Sequence, residues 1–364
     1  MDILIFILVI VALIVVHEFG HFVVAKLSGM RVDEFGIGFP PRAMVIGKIG
    51  ETEYTLNWLP LGGFVKIYGE DGGGEDSRSF SKRPRILQAL VLVAGISMNL
   101  LFAYVLITGA LIMGTPRALS QSEVAGARDT QLMVASVFPG SPAARAGIVP
   151  GDAVLSAEDG HYVFSGVDPS AFTKFVADGG GNTTITLSVR HAGGEEETFF
   201  ARPEPGIITS DPSHAVLGVE VATVGVVPLS FLAAVAEGAS LTWSATTLTA
   251  VGLWHFFYSV FTLSADLSQV AGPVGIAGVV GTASMQGFGS LFSIMAIISI
   301  NLALINLIPV PALDGGRLLF VIIESVIRRP IKASVAHTVN AVGFVFLILL
   351  MVVVTAHDIF KIVG

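Results

Sequence analysis

Ile14-Val15-Val16-His17-Glu18-Phe19-Gly20-His21-Phe22-Val23-Val24 is the stretch that decides the fold. It lies inside an apolar run from about Ile3 to Leu27, long enough to cross about 30 Å of hydrocarbon at about 1.5 Å per residue. Two imidazoles and a carboxylate stand where lipid is expected. An ionisable group near the bilayer centre costs about 2.5–3.5 kcal/mol, so three cost about 8–10 kcal/mol together. The H-E-x-x-H spacing puts His17 and His21 one turn apart on one helix face, where they can share a zinc ion. Zinc contributes about 10–16 kcal/mol in structural sites, enough to hold such residues in a span. Glu18 is the candidate general base for a water activated by the metal. The plainer alternative is a polar helix end satisfied by interfacial water.

Working outward, 53% of the 364 residues are hydrophobic and 13% are charged. Average soluble chains carry about 25% charged residues. This composition specifies an integral membrane protein. There is no cysteine, so disulfides and thiolate ligands are excluded and zinc must be held by His and carboxylate. A net charge of −8, with no basic patch interleaved with aromatics, argues against nucleic acid.

Hydropathy predicts four spans, at about 1–27, 86–113, 291–327 and 338–364, the third broken near Pro309–Gly316. The start Met1-Asp2 lacks a basic n-region, so the first run reads as a span rather than a cleaved signal. Residues 26–85 hold nine Lys and Arg, and Arg328, Arg329 and Lys332 follow the third span. Both loops are expected in the cytoplasm. Residues 114–290 hold six basic and fifteen acidic residues and are expected outside, with both termini. The apolar run Pro228–Phe261 carries only Glu237 as a formal charge. An extra crossing would move Asp314 to the leaflet opposite His17, so 223–290 is read as an interfacial or partly re-entrant amphipathic segment.

Asn306-Leu307-Ile308-Pro309-Val310-Pro311-Ala312-Leu313-Asp314-Gly315-Gly316-Arg317 breaks the third span. Two prolines and two glycines in eight residues end a helix. Irregular backbone at membrane depth survives where it is buried in protein or lines a wet cavity. Asp314 offers the hard oxygen ligand that two imidazoles lack, and two His plus one carboxylate leave a fourth position open, the catalytic pattern. Asn306 can donate to a substrate carbonyl or oxyanion. Asp314 equally suits a helix N-cap.

The pair H-E-x-x-H and N-x-x-P-x-P-x-L-D-G-G resembles the site-2 protease family of intramembrane zinc metalloproteases, most nearly the bacterial RseP-like branch. Tyr54–Lys66 resembles that branch's cytoplasmic hairpin block, and Gly272–Ala277 the segment before its third span. Ala94-Gly95-Ile96-Ser97-Met98-Asn99 departs from the branch, which commonly has Pro after Gly. The resemblance implies one zinc ion held by His17, His21 and Asp314. It implies Glu18 as base, Asn306 positioning the scissile peptide, and Asn99 near the active site. Substrate contacts are expected at Phe35, Gly36, Ile37, Gly38, Phe39, Asn99, Pro309 and Pro311. The expected activity is cleavage of transmembrane segments of single-span proteins, an anti-sigma factor or remnant signal peptides, in the bacterial inner membrane.

Two extramembrane regions complete the expected fold. Residues 28–85 alternate as short strands and predict a membrane-associated β region whose exposed edge at Phe35–Phe39 could pair with unwound substrate. Asp71–Asp76 reads as an acidic, glycine-rich turn. Residues 114–222 contain Gly140-Ser141-Pro142-Ala143…Pro150-Gly151-Asp152, which resembles one mixed α/β PDZ domain. Leu217-Gly218-Val219 resembles its carboxylate-binding strand. Such a domain binds peptide C-termini or filters substrates by size. His161, His191 and His214 read as solvated surface residues. The competing class is a non-catalytic membrane PDZ scaffold or metal-ion transporter. A transporter would be expected to show internal repeats, which this sequence does not.

Overall fold

The computed structural model describes residues 2–70, 76–179, 183–191, 194–205, 207, 215–262 and 272–363. His214 and most of the acidic turn at 71–76 lie outside the described residues. The chain forms two compact units, one of residues 1–113 and 230–364, the other of residues 114–229.

The first unit is helical apart from one β region between its first two helices. Among the described residues, helices α1 (Asp2–Leu27), α2 (Arg85–Met113), α7 (Phe288–Leu307) and α9 (Ala333–Val363) contain four stretches long and apolar enough to cross a membrane. Between them come α5 (Phe231–Phe261), α6 (Pro273–Met285) and α8 (Asp314–Ile327). Leu13, Ala103, Val280, Ala296 and Ile300 form a fully buried seam where α1, α2, α6 and α7 meet. Small residues such as Ala103 and Ala296 suit that seam, because close backbone approach replaces the hydrophobic drive that lipid does not supply. The Pro228–Phe261 run, expected as an interfacial or partly re-entrant stretch, forms one helix of 31 residues from Phe231 to Phe261. Its Ser and Thr hydroxyls bond back to carbonyls of the preceding turn, as Thr242 does to Gly238 and Thr246 to Thr242, so they do not break it.

The expected short strands of the β region are instead two long ones, β1 (Val32–Ile49) and β2 (Thr52–Ile67). The long strands fold back on themselves. Phe35 is paired with both Tyr54 and Val65, Gly36 with both Thr55 and Phe64, and Ile37 with both Leu56 and Gly63. The predicted free edge at Phe35–Phe39 is therefore absent over 35–37, where both sides of the strand are occupied. Glycine is required here by contact: a Cβ on Gly36 would stand 2.4 Å from the Phe64 ring.

The second unit is a sheet ordered β3 (Pro116–Ala118), β9 (Val219–Val226), β4 (Arg128–Val137), β5 (Ala153–Glu158), β7 (Ile185–Arg190) and β8 (Glu196–Ala201), with β6 (Val163–Phe164) beside β5. All pairings are antiparallel. Leu132, Ile185, Leu187, Val189 and Leu217 form its core with Phe172 of α4 (Pro169–Asp178). Helix α3 (Pro142–Ala146) begins at Ser141, whose hydroxyl accepts from Ala144 N, and ends at Gly147 with φ 100°. The expected boundary at 222 falls inside β9, which pairs with both β3 and β4, so the unit extends to 229.

Candidate metal centre

Three elements from distant parts of the chain converge on one point. His17 and His21 project from the same face of α1 and are both buried. Asp314 opens α8 after the break. The break exists because Val310, Pro311 and Ala312 turn tightly over the helix start, with Ala312 at φ 74°. Gly315 and Gly316 permit that turn. A Cβ on Gly315 would stand 2.3 Å from the carbonyl oxygens of Leu307 and Ile308, and one on Gly316 2.3 Å from that of Val310. The N-cap position is Leu313, with no side-chain capping bond. The Asp314 carboxylate faces the imidazoles instead.

His17 Nε2 lies 2.8 Å from Asp314 Oδ2 and 3.1 Å from His21 Nε2, and His21 Nε2 lies 3.2 Å from Asp314 Oδ2. Among the described residues, this trio is a group able to hold a metal ion. A tetrahedral zinc ion with bonds of about 2.0–2.2 Å keeps its ligand atoms about 3.3 Å apart. The triangle is of that size, and two nitrogens with one hard oxygen are the donors zinc takes. The residues fit the ion.

Helix α2 closes the back of the site. His21 Nδ1 donates to the Val91 carbonyl at 2.7 Å, and Asn99 Nδ2 lies 3.2 Å from His17 Nδ1. Gly95 stands between them. A Cβ there would come within 2.5 Å of His21 Nε2 and 2.8 Å of His17 Nε2. Val91, Gly95 and Asn99 recur every fourth residue and form the face that meets the imidazoles. The sequence marked Asn99 as near the site but left Val91 and the reason for Gly95 unread. The signal available was the Gly-x-x-x-Asn spacing.

Glu18 sits beside the imidazoles, with Val65 of β2 near its carboxylate. Gly63 packs against α1 at Val15 and Glu18. Asn306 is half-buried in the last turn of α7. Of the residues expected to touch substrate, Phe35, Gly36 and Gly38 are buried in the β region and Ile37 is half-buried. Asn99 is fully buried against His17. Phe39 and Pro309 are exposed, and Pro311 is half-buried against Gly343 of α9.

In the second unit, His191 is not freely solvated. Its Nδ1 lies 2.7 Å from Asp152 Oδ1 and its Nε2 3.2 Å from Glu197 Oε2. These two carboxylates, Asp152 first, hold the imidazole pKa above its ordinary value.

Comparison with known proteins agrees with this centre. The profile of peptidase family M50 matches residues 5–350. A candidate zinc metalloprotease of Clostridium perfringens is 37% identical over 349 residues, covering 96% of this chain and 95% of its own. A second candidate zinc metalloprotease, of Nostoc, is 34% identical over 96% of this chain and 93% of its own. The chloroplastic membrane metalloprotease ARASP of Arabidopsis thaliana is 32% identical over 87% of this chain and 69% of its own. The chain belongs to peptidase family M50, the site-2 proteases, and is a zinc metalloprotease of the membrane.

Proposed function

We propose that this protease cuts inside the membrane, hydrolysing transmembrane segments of single-span proteins such as an anti-sigma factor or remnant signal peptides. The observation that carries the reading is the position of the trio. His17 and His21 are buried within an apolar helix long enough to span a membrane, and Asp314 reaches them from the helix break.

His17, His21 and Asp314 are the zinc ligands in this reading. Zinc, when bound, supplies a Lewis acid that polarises water and the scissile carbonyl. Glu18 takes the proton from the attacking water and passes it to the departing amine. Asn306 donates to the carbonyl oxygen as charge develops there. Phe39 and Pro309, the exposed members of the expected set, are assigned to substrate. The second unit is assigned as a PDZ domain that binds peptide termini or filters substrates by size. It and both chain termini are placed outside the inner membrane, and the β region inside.

Glu18→Gln tests the chemistry. The amide keeps the shape of the carboxylate and cannot accept the proton. Purified Glu18→Gln is expected to retain zinc and lose cleavage of a single-span substrate by at least about a hundredfold. His17→Ala and Asp314→Ala are expected to lose zinc as well. Cleavage by Glu18→Gln near the wild-type rate, or full zinc in both ligand variants, would overturn the assignment.

A further inference from the structure

Helix α2 gives each imidazole a partner at its outer nitrogen, and the two partners differ in kind. His21 Nδ1 donates to the Val91 carbonyl, which can only accept. His17 Nδ1 meets the carboxamide of Asn99, which can donate or accept. Asn99 Nδ2 lies 3.2 Å from that nitrogen, while Asn99 Oδ1 is buried with no hydrogen-bond partner. A neutral imidazole that gives Nε2 to a metal carries its proton on Nδ1, so its outer partner must accept. Val91 O meets that requirement as it stands. For His17 the acceptor is the orphaned Oδ1, on the same group. A half-turn about χ2 exchanges Oδ1 and Nδ2 within one volume, since the two faces of a carboxamide are nearly isosteric.

We propose that Asn99 is the positioning residue of the zinc centre. Its Oδ1 accepts from His17 Nδ1–H and fixes both the tautomer and the plane of that ligand. The residue is held for this task from the far side, because Ser299 Oγ of α7 donates to the Asn99 main-chain carbonyl at 2.8 Å. A neutral amide does so without adding a further negative charge to a buried site, and it can serve His17 with the proton on either nitrogen. The proposal rests on the reading of His17 as a ligand.

Zinc dissociation constants of the full-length protein, measured by chelator competition, test it. Asn99→Leu keeps the volume and removes the acceptor, and is expected to weaken zinc binding about 10–100-fold. Asn99→Asp keeps an acceptor and is expected to restore binding to within about threefold of wild type. Equal losses in both variants would make the role structural only and overturn the proposal. His17→Ala runs beside them. Wild-type affinity in His17→Ala defeats the ligand assignment, whereas wild-type affinity in Asn99→Leu with loss in His17→Ala defeats the role of Asn99 alone. A readout independent of variant folding is 15N resonance of labelled histidines in the zinc-loaded wild type. His17 Nδ1 is expected to be protonated and hydrogen-bonded; an unprotonated Nδ1 would overturn the proposal.

Discussion

Gly95 shows how the site depends on a residue with no functional atoms. Its missing Cβ lies 2.5–2.8 Å from His21 Nε2 and from His17 Cε1 and Nε2, the edges that face Asp314. A methyl group there would force α2 from α1 or displace the imidazoles. Gly95→Ala is accordingly expected to lower zinc occupancy severely while leaving every ligand, the base and the helix propensity of α2 intact. Zinc content of the purified variant by atomic emission checks this, and full occupancy would show that α2 stands farther from the metal than described. At this scale the meeting of His17, His21 and Asp314 was legible in the sequence. An i, i+4 pair announces its shared face, and an aspartate after two prolines announces a break. Gly95 and Val91 were not legible, since their importance comes from α2 crossing α1, a tertiary fact no local pattern encodes. Asn99 was found but given to substrate; only its full burial against His17 shows its proper neighbour.

The β region shows the same limit for whole elements. Period-two alternation marked strands, but not which strand lies between which. Because Ile37 faces Leu56 on one side and Gly63 on the other, its backbone belongs to the sheet rather than to a free edge. Proline there removes a donor and its ring obstructs the neighbouring strand, so Ile37→Pro is expected to destabilise the β region. Thermal unfolding and cleavage should then fall together. Unchanged thermal stability with selectively slowed cleavage would restore Phe35–Phe39 as the substrate-pairing edge. Both strands touch the catalytic helix: Phe35 packs on Phe22 with ring centroids 5.4 Å apart, and Gly63 lies against Val15 and Glu18. The α8 helix is tied at its other end, where Glu324 accepts from Arg85 at 2.7 Å, joining the helix that carries Asp314 to the one that carries Asn99. This pair was invisible in sequence, because Arg85 and Glu324 are 239 positions apart.

For the whole molecule, four apolar stretches and an intervening mixed unit were readable from composition and charge alone. The expected boundary at 222 lies inside β9, because the end of a strand is set by its partners β3 and β4 rather than by its own residues. The orientation proposed from the basic loops is open to single-cysteine labelling, the chain having no cysteine of its own. Exposed Ser122 replaced by Cys should react with an impermeant thiol reagent on intact cells, and exposed Ser334 replaced by Cys should not. The reverse pattern would invert the topology. The central claim is that the trio of α1 and α8 cuts peptide bonds at membrane depth. The most direct measurement is the mass of the products released from a single-span substrate co-reconstituted with the protease in liposomes. The account predicts termini that map inside the transmembrane segment, and no such products from Glu18→Gln. Cleavage confined to the substrate's extramembrane stem would contradict it.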